Sequence, residues 1–252
     1  MEDWKEQVAL VTGGASGIGR ATALAFAAEG TRVVVADVSP DGGEETIRLI
    51  RSRGGEARFV LADVSRAGDV EALIAKTMKG YGRLDFAFNN AGIEGTMAPT
   101  AACSEENWDR TIATNLKGVW LCLKHELPRM LERKRGAIVN MSSVAGLVGF
   151  PGLPAYVASK HGIVGLTRTA ALEVARQGIR VNVVCPGAVE TPMLDRLRKS
   201  GAGVEQSIAA SEPVGRAAKP EEIAAAVIWL CSDSASFVTG QALPVDGGWV
   251  AQ

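Results

Sequence analysis

Tyr156 and Lys160 stand four residues apart, and this spacing is the one in the chain that most directly suggests chemistry. On one face of a helix, their Cβ atoms would lie about 6 Å apart. A phenol has a pKa of about 10, and a cation about 5 Å away would favour the phenolate by about 3 kcal/mol, or about two pKa units. Tyr156 would then serve as a general acid and base. The spacing alone is equally compatible with a tyrosine and a lysine that lie at the surface and have no catalytic role.

A glycine-rich turn follows the first predicted strand, and it contains Gly13, Gly17 and Gly19. Glycines at such a turn let the backbone approach a pyrophosphate, and the helix that follows supplies free amides and the positive end of its dipole. The spacing differs from the GxGxxG form of the dinucleotide fingerprint. Glycines also serve plain strand-to-helix turns, so the turn alone is a weak signal.

Asp37 ends the second predicted strand, 18 residues after Gly19. A carboxylate there can accept hydrogen bonds from both ribose hydroxyls of an adenosine, and it would repel a 2′-phosphate. Val38, Ser39 and Pro40 follow it, and Ser16 adds no cation in the glycine-rich turn. These residues favour NAD over NADP. A capped turn before the next helix would also explain Asp37.

The third predicted strand leads to Asp63 and Val64. Asp63 is placed to bond the amino group of an adenine, with Val64 beside the ring. The fourth strand ends in Asn89-Asn90-Ala91-Gly92, whose amides could brace the sheet edge and contact the adenosine ribose. A structural role alone would explain Asn89.

The order of elements predicts the fold. Apolar runs alternate with amphipathic stretches, and the predicted strands are near-continuous Val, Ile, Ala and Leu runs typical of a covered parallel sheet. This alternation predicts an α/β fold, a doubly wound, mainly parallel seven-stranded Rossmann-type sheet with helices on both faces. We expect a single domain over residues 1–252, with 190–215 as a substrate lid. Pro128 is expected to kink or end the helical region that starts at Ser104.

The composition narrows the function classes. The 252 residues are 47% hydrophobic and carry a net charge of -1, which argues against nucleic acid or an anionic membrane as the main partner. The four cysteines are far apart, and the two histidines complete no metal-ligand pattern with them. The chain shows no targeting pattern at its start, so we expect reduced thiols and a cytoplasmic location.

Taken together, the motifs resemble the short-chain dehydrogenase/reductase family, in its compact single-domain branch. The resemblance spans the chain through Gly248. The residues that carry it are Thr12 through Gly19, Asn89-Asn90-Ala91-Gly92, Asn115, Ser143, Tyr156, Lys160, Pro186-Gly187 and Thr191.

The resemblance implies a role for each catalytic candidate. Tyr156 would exchange a proton with the substrate oxygen, and Lys160 would lower the pKa of that tyrosine and bond the nicotinamide ribose. Ser143 would orient the substrate oxygen, and Asn115 would hold a water that links Lys160 to solvent. Ser142 and Ser143 point oppositely if both lie on a strand, and the family spacing favours Ser143.

The same resemblance, together with the carboxylate of Asp37, implies NAD as the cofactor. The predicted contacts are Gly13, Ser16, Gly17, Ile18, Gly19, Asp37, Asp63, Val64, Asn90, Ala91, Gly92, Tyr156, Lys160, Pro186, Gly187, Val189 and Thr191. A homotetramer or homodimer is the assembly that the family implies.

Apolar residues dominate the segments expected around the substrate, among them Val148, Phe150 and Met193. They favour a hydrophobic or alicyclic secondary alcohol and its ketone. Glu94 and Glu190 are polar exceptions that could bind hydroxyls, so a sugar or polyol dehydrogenase stays open. Two further functions are compatible with the motifs: an NADP-dependent carbonyl reductase of the 3-oxoacyl type, and a non-catalytic dinucleotide-binding regulator.

Overall fold

The computed structural model describes residues 4–200 and 210–252 of the chain. One sheet contains the strands β1 Val8–Thr12, β2 Arg32–Asp37, β3 Ala57–Leu61, β4 Phe86–Asn89, β5 Gly136–Met141, β6 Ile179–Pro186 and β7 Ala242–Val245. Their order in the sheet is β3-β2-β1-β4-β5-β6-β7. Every neighbouring pair is parallel. The predicted doubly wound seven-stranded sheet is confirmed.

Helices cover both faces of this sheet. Those of the described residues are α1 Gly17–Ala28, α2 Pro40–Arg51, α3 Ala67–Tyr81, α4 Glu105–Ile112, α5 Gly118–Arg133, α6 Pro154–Val174, α7 Pro192–Ser200 and α8 Pro220–Cys231. A π-helical turn, Ala113–Lys117, joins α4 to α5. Ser104 caps the start of α4, because its hydroxyl accepts from the amide of Asn107.

Strand β1 shows how the sheet divides the core. Val8 and Leu10 pack into a cluster with residues of α3, α5 and α6, whereas Ala9 and Val11 pack into a second cluster with residues of α1, α2 and α8. All four β1 side chains are fully buried. Alternate side chains of a strand therefore serve two separate apolar layers.

The site follows from the strand order. The chain runs outward from β1 through β2 to β3, then returns to β4 on the other side of β1. In open parallel sheets, ligands bind outside the carboxyl ends of the strands at the point where the order reverses. Here that point lies between the ends of β1 and β4, at Thr12 and Asn89.

Pro128 was expected to kink or end its helix, and the second of these outcomes is wrong. Pro128 lies inside α5, which continues to Arg133. A proline in a helix interior costs about 3 kcal/mol. The apolar face of α5 offsets this cost, since Leu123 and Met130 are buried against the sheet.

The predicted lid, residues 190–215, is described only in part. Helix α7 falls within it, whereas residues 201–209 lie outside the described residues. The single-domain assignment stays a prediction. In the described ranges, no helix has both the length and the apolar character that crossing a bilayer requires.

Candidate active site

Helix α6 brings Tyr156 and Lys160 to one face. Lys160 Nζ lies 5.4 Å from the centre of the Tyr156 ring. The ammonium donates to the backbone oxygen of Met141, at the end of β5, over 3.0 Å. Because Lys160 is only 4% exposed, its position is fixed by the end of the strand as well as by the helix.

The two serines after β5 point to different partners. Ser142 donates from its hydroxyl to the backbone oxygen of Lys160 over 2.9 Å, so it supports α6 from below. Ser143 lies beside the Tyr156 phenol and lowers its pKa. Its hydroxyl also accepts from the amide of Ala145 over 3.2 Å. Ser143 is therefore the serine beside the phenol, as the family spacing favoured.

Asn115 lies in the π-helical turn and is fully buried. Its side-chain amide donates to Ile93 O over 2.9 Å and to Ser159 Oγ over 3.1 Å, and its oxygen accepts from Ile93 N over 2.8 Å. Asn115 thus connects α6 to the segment after β4. Both amide hydrogens are used in these contacts, so the predicted water would have to bind other atoms of Asn115.

The expected direction of the Tyr156 pKa was wrong for the protein alone. Burial raises the pKa of Tyr156 above 10, Ser143 acts in the opposite direction, and the negative charge of Glu94 raises the pKa further. Desolvation of the phenolate outweighs the lowering effect of Ser143.

Burial has the matching effect on the amine. It lowers the pKa of Lys160 to about 8, with a small opposing effect from Cys185. The amine of Lys160 therefore loses its proton at a lower pH than the amine of an exposed lysine does. The helix spacing revealed that the two groups meet, but it could not reveal how much water surrounds them.

The glycine-rich turn fits a phosphate. A Cβ on Gly13 would lie 2.7 Å from Asn90 Nδ2, and a Cβ on Gly19 would overlap the backbone oxygen of Gly13. Gly13 also has a φ of 65°, in the left-handed region that favours glycine. Within the described part of the chain, the Ser16 hydroxyl caps none of the first amides of α1. Those amides remain available to an anion.

Asn90 braces this turn from the neighbouring strand. Its side-chain amide donates to Thr12 O over 3.0 Å and to Gly13 O over 3.1 Å. Thr12 Oγ1 accepts in return from the amides of Asn90 and Ala91, over 3.0 and 3.2 Å. A Cβ on Gly92 would lie 3.2 Å from Asn115 Oδ1, so the segment passes close to the catalytic candidates.

Asn89 belongs to a buried network under the site. Its side-chain amide donates to Glu126 Oε2 and to Asn140 Oδ1, both over 3.0 Å. Glu126 is fully buried, and burial raises its pKa to about 7 against the opposing hydrogen bond from Asn89. Asn89 Oδ1 and Glu126 Oε1 have no hydrogen-bond partner among the described residues. A structural role for Asn89 fits these contacts.

Asp37 is held by two backbone amides. One carboxylate oxygen accepts from Ala15 N and the other from Ser39 N, each over 2.9 Å. A carboxylate has about four acceptor positions, so two hydrogen bonds leave room for ribose hydroxyls. The bond from Ser39 N is also the contact that a capped turn would make.

The expectation that the glycine-rich turn offers no cation was wrong. The Arg20 guanidinium reaches back from α1 and donates to the backbone oxygens of Ala15 and Gly42. Its Nε donates to Thr46 Oγ1 over 3.0 Å. The prediction considered only position 16 and the residues that follow Asp37. Arg20 lies at neither place, because it is one turn into α1.

The adenine candidates have different surroundings. Asp63 accepts from the amide and the hydroxyl of Ser65, over 2.9 and 2.7 Å. Val64 is 6% exposed, and a Cβ on Gly118 would lie 2.9 Å from its Cγ2 atom. The Val64 side chain therefore faces α5, and its backbone is the part left for an adenine.

The nicotinamide candidates lie beyond β6. Gly187 N donates to Val245 O over 3.3 Å, and Thr191 Oγ1 donates to Val189 O over 3.1 Å. A Cβ on Gly17 would lie 3.1 Å from Thr191 Cγ2, so this segment meets the glycine-rich turn. Pro186 ends β6 directly before it.

Glu212 is a residue of the site that no sequence pattern marks. Its carboxylate accepts from the amide of Ala188, directly after Gly187. The side chain is 2% exposed. It therefore fixes the backbone beside the nicotinamide candidates, and a buried carboxylate in a loop became visible only once the fold was known.

The substrate candidates form an open side of the site. Val148 is 37% exposed, Met193 is half-buried, and the Phe150 ring lies 5.5 Å from the Trp249 ring. Glu94 is bound by Arg196 of α7, so in this structure its carboxylate faces a guanidinium. Sequence reasoning missed Arg196 because the two residues are 102 positions apart.

Comparisons with known proteins agree with this geometry. A family model described as enoyl-(acyl carrier protein) reductase matches residues 13–250. A 2,5-dichloro-2,5-cyclohexadiene-1,4-diol dehydrogenase of Sphingobium indicum is 45% identical over 252 residues, which is 100% of both chains. A cyclohexanol dehydrogenase of Acinetobacter sp. is 41% identical over 249 residues, 99% of this chain and 97% of the relative. The crystal structure of levodione reductase matches with a TM-score of 0.96 at 41% identity, covering 98% of this chain and 99% of that one.

The chain belongs to the short-chain dehydrogenase/reductase family.

Membership in the short-chain dehydrogenase/reductase family confirms the resemblance on which the site was predicted. The protein is an oxidoreductase of that family, and its fold binds a nicotinamide dinucleotide. The glycine-rich turn and the held carboxylate of Asp37 fit such a cofactor. The roles of individual residues stay predictions.

Proposed function

We propose that this protein is an NAD-dependent dehydrogenase that interconverts alicyclic secondary alcohols and their ketones. The observation that carries the proposal is the meeting of Tyr156, Lys160 and Ser143 beside the turn that fits a dinucleotide. Relatives whose names specify cyclohexanol and a chlorinated cyclohexadienediol support a cyclic alcohol. The apolar side chains of Phe150 and Trp249 beside the site suit such a ring.

The proposed chemistry assigns one task to each polar residue. Tyr156 Oη takes the proton of the alcohol during oxidation and returns it during reduction. Ser143 donates to the substrate oxygen as negative charge develops on it. Lys160 places its ammonium beside the Tyr156 ring and donates a hydrogen bond to the cofactor ribose. Bound NAD would supply the hydride acceptor, and the positive charge that its oxidised ring carries before the transfer would favour the Tyr156 phenolate.

NAD is the proposed cofactor because of Asp37. Its carboxylate stands at the end of β2, fixed by Ala15 N and Ser39 N. A 2′-phosphate there would meet a negative charge in a partly desolvated place. Arg20 is the observation that favours the second candidate, an NADP-dependent carbonyl reductase, because it adds a cation nearby. Its donors already bind Ala15, Gly42 and Thr46, which weakens that candidate.

A polyol dehydrogenase has weaker support. Glu94 and Glu190 kept it open, but both carboxylates are bound through both of their oxygens. Arg196 binds Glu94, and Arg198 binds Glu190. A polyol hydroxyl would have to displace a bidentate ion pair.

The test is a substrate and cofactor matrix. Initial rates are measured at the absorbance of reduced nicotinamide for cyclohexanol, linear secondary alcohols and a linear polyol, each with NAD and with NADP. We expect the highest kcat/KM with cyclohexanol and NAD. A higher kcat/KM with the polyol, or with NADP and a 3-oxoacyl thioester in the reducing direction, would overturn the proposal.

A further inference from the structure

An ion pair connects the two walls of the substrate side. Arg196 Nε binds Glu94 Oε1 over 2.7 Å, and its Nη2 binds Glu94 Oε2 over 3.1 Å. Arg196 belongs to α7, whereas Glu94 belongs to the segment that follows β4. The pair is bidentate, so it fixes the direction as well as the distance between the two segments.

Each wall also carries residues of the proposed site. The segment with Glu94 begins at Gly92, where a Cβ would lie 3.6 Å from Lys160 Nζ. Helix α7 begins directly after Thr191, whose hydroxyl accepts from the amide of Leu194 over 3.3 Å. A movement of α7 away from the segment after β4 would therefore open the site between the catalytic and nicotinamide candidates.

We propose that Arg196 is a positioning residue for the alcohol oxidation proposed above: by binding Glu94 it holds α7 across the site and balances the negative charge of the Glu94 carboxylate. The guanidinium needs no direct contact with the phenol. It acts through Glu94, both on the closure of the site and on the charge that the phenol experiences.

The charges around the phenol come from several elements. Those that act on Tyr156 or on its neighbours are Lys160 of α6, Glu94 after β4, Arg196 of α7, Arg110 of α4 and the Cys185 thiol of β6. Burial favours the neutral form of Glu94, but the hydrogen bond from Arg196 and the charges of both arginines outweigh it and lower the Glu94 pKa. Glu94 is thus a carboxylate whose effect on Tyr156 depends on Arg196.

A second ion pair on the same helix provides a matched control. Arg198 binds Glu190 through two contacts of 2.6 and 2.8 Å. These partners are 8 residues apart in the chain, so the pair joins α7 to the stretch just before it. Loss of Arg198 removes its hydrogen bonds with Glu190 and with Asp195, and both of these carboxylates lie on the α7 side of the site.

The kinetic experiment compares Arg196→Gln, Arg196→Lys, Glu94→Gln, the double variant Glu94→Gln/Arg196→Gln, and Arg198→Gln. The pH dependence of kcat/KM is measured with cyclohexanol and NAD. Arg196→Gln should raise the KM for cyclohexanol up to about five-fold, as expected for a partly exposed ion pair. It should also move the acidic limb of the profile to higher pH, because an unpaired Glu94 disfavours the phenolate.

The other variants test the path through Glu94. Glu94→Gln should move the acidic limb to lower pH, and the double variant should match Glu94→Gln. Arg196→Lys should keep the parent profile, and so should Arg198→Gln. The inference is overturned if Arg196→Gln keeps the parent KM and profile, or if it shifts the profile equally in the Glu94→Gln background.

A measurement without turnover tests the contact itself. In Arg196→Gln, hydrogen exchange should become up to about five-fold faster in α7 and in the segment after β4, whereas Arg198→Gln should leave the latter segment unchanged. Unchanged exchange in both segments of Arg196→Gln would also overturn the inference. Failure of the proposed function is a different outcome: the parent does not oxidise cyclohexanol, or Tyr156→Phe oxidises it equally fast.

Discussion

The cofactor region and the substrate region of this protein are held by different kinds of contact. We define the cofactor region as residues 12–20, 37–39, 63–64 and 89–92, and the substrate region as residues 93–98, 147–153 and 192–200 with Trp249. In the cofactor region, half-buried polar side chains bind backbone atoms, as Asp37 and Asn90 do. In the substrate region, side chains meet one another, as the half-buried Glu94 meets the exposed Arg196.

This difference predicts where the protein tolerates substitutions. A turn defined by backbone contacts accepts few substitutions, because a new Cβ meets main-chain atoms. Side chains that meet at the surface can be exchanged without moving the sheet. We therefore expect large effects from substitutions in the cofactor region and its support, and small, substrate-dependent effects from those in the substrate region.

Among the effects expected within these two regions, that of Gly19→Ala is the largest. Its Cβ would overlap the backbone oxygen of Gly13 and meet Asn90 Nδ2 at 2.7 Å. Moving main chain costs about 3 kcal/mol, so NAD affinity should fall about 100-fold in a calorimetric titration. Gly68→Ala in α3 is the control, because a Cβ there meets nothing within 4 Å. If Gly19→Ala binds NAD as tightly as Gly68→Ala, the glycine-rich turn tolerates a Cβ, and the proposed rigidity of the cofactor region is wrong.

The next effect concerns Glu126, which binds Asn89 under the cofactor region, and the dependence of protein stability on pH. The pKa of Glu126 is raised to about 7 in the folded protein, above its usual value of about 4.3 when unfolded. Between these values the folded state keeps a proton that the unfolded state releases, so stability falls by about 3 kcal/mol as pH rises from 4 to 7.

Glu126→Gln should remove this loss. The variant should gain stability relative to the parent as pH rises, with the gain complete above pH 7, measured by urea unfolding across the range. Glu132→Gln is the control, because the Glu132 side chain is 56% exposed. Parallel pH curves for Glu126→Gln and the parent would contradict the buried carboxyl as the cause.

Asp37→Ala should have a smaller effect, confined to cofactor choice. Loss of hydrogen bonds from a charged group costs about 1.5 to 3 kcal/mol, so kcat/KM with NAD should fall about ten- to 100-fold. The value with NADP should rise because a repulsive charge is gone. Asp41→Ala on the first turn of α2 is the control. Equal losses with NAD and NADP would mean that Asp37 only shapes the turn.

The smallest effect is expected in the substrate region. Phe150→Ala removes the ring that lies 5.5 Å from Trp249. Such an aromatic contact is worth about 1 kcal/mol, so the KM for cyclohexanol should rise about five-fold while the KM for NAD stays the same. Trp229→Ala on α8 is the control for loss of a 42% exposed aromatic side chain. A fall in NAD affinity in Phe150→Ala would erase the distinction between the two regions.

The same distinction explains what the sequence could predict. The glycine-rich turn, Asp37 and the Tyr156–Lys160 pair were found because local spacing and strand ends place them, and the parallel sheet then brings them together. The ion pair of Glu94 with Arg196 joins residues 102 positions apart, and no local pattern marks it.

The errors have a common physical origin. The direction of the Tyr156 pKa depends on burial, and the persistence of α5 through Pro128 depends on packing against the sheet. The cation of Arg20 beside the glycine-rich turn was missed, because its reach to Ala15 O follows from the three-dimensional path of α1. Each of these depends on the folded path of the chain, which local spacing does not reveal.

The most direct test of the account is the kcat of Tyr156→Phe with cyclohexanol and NAD, beside Tyr81→Phe as the same change at the other tyrosine of the chain. Because the phenol is proposed to take the proton of the alcohol, kcat should fall about 1000-fold in Tyr156→Phe, with NAD binding retained and Tyr81→Phe equal to the parent. A Tyr156→Phe variant that turns over as fast as Tyr81→Phe would contradict the account.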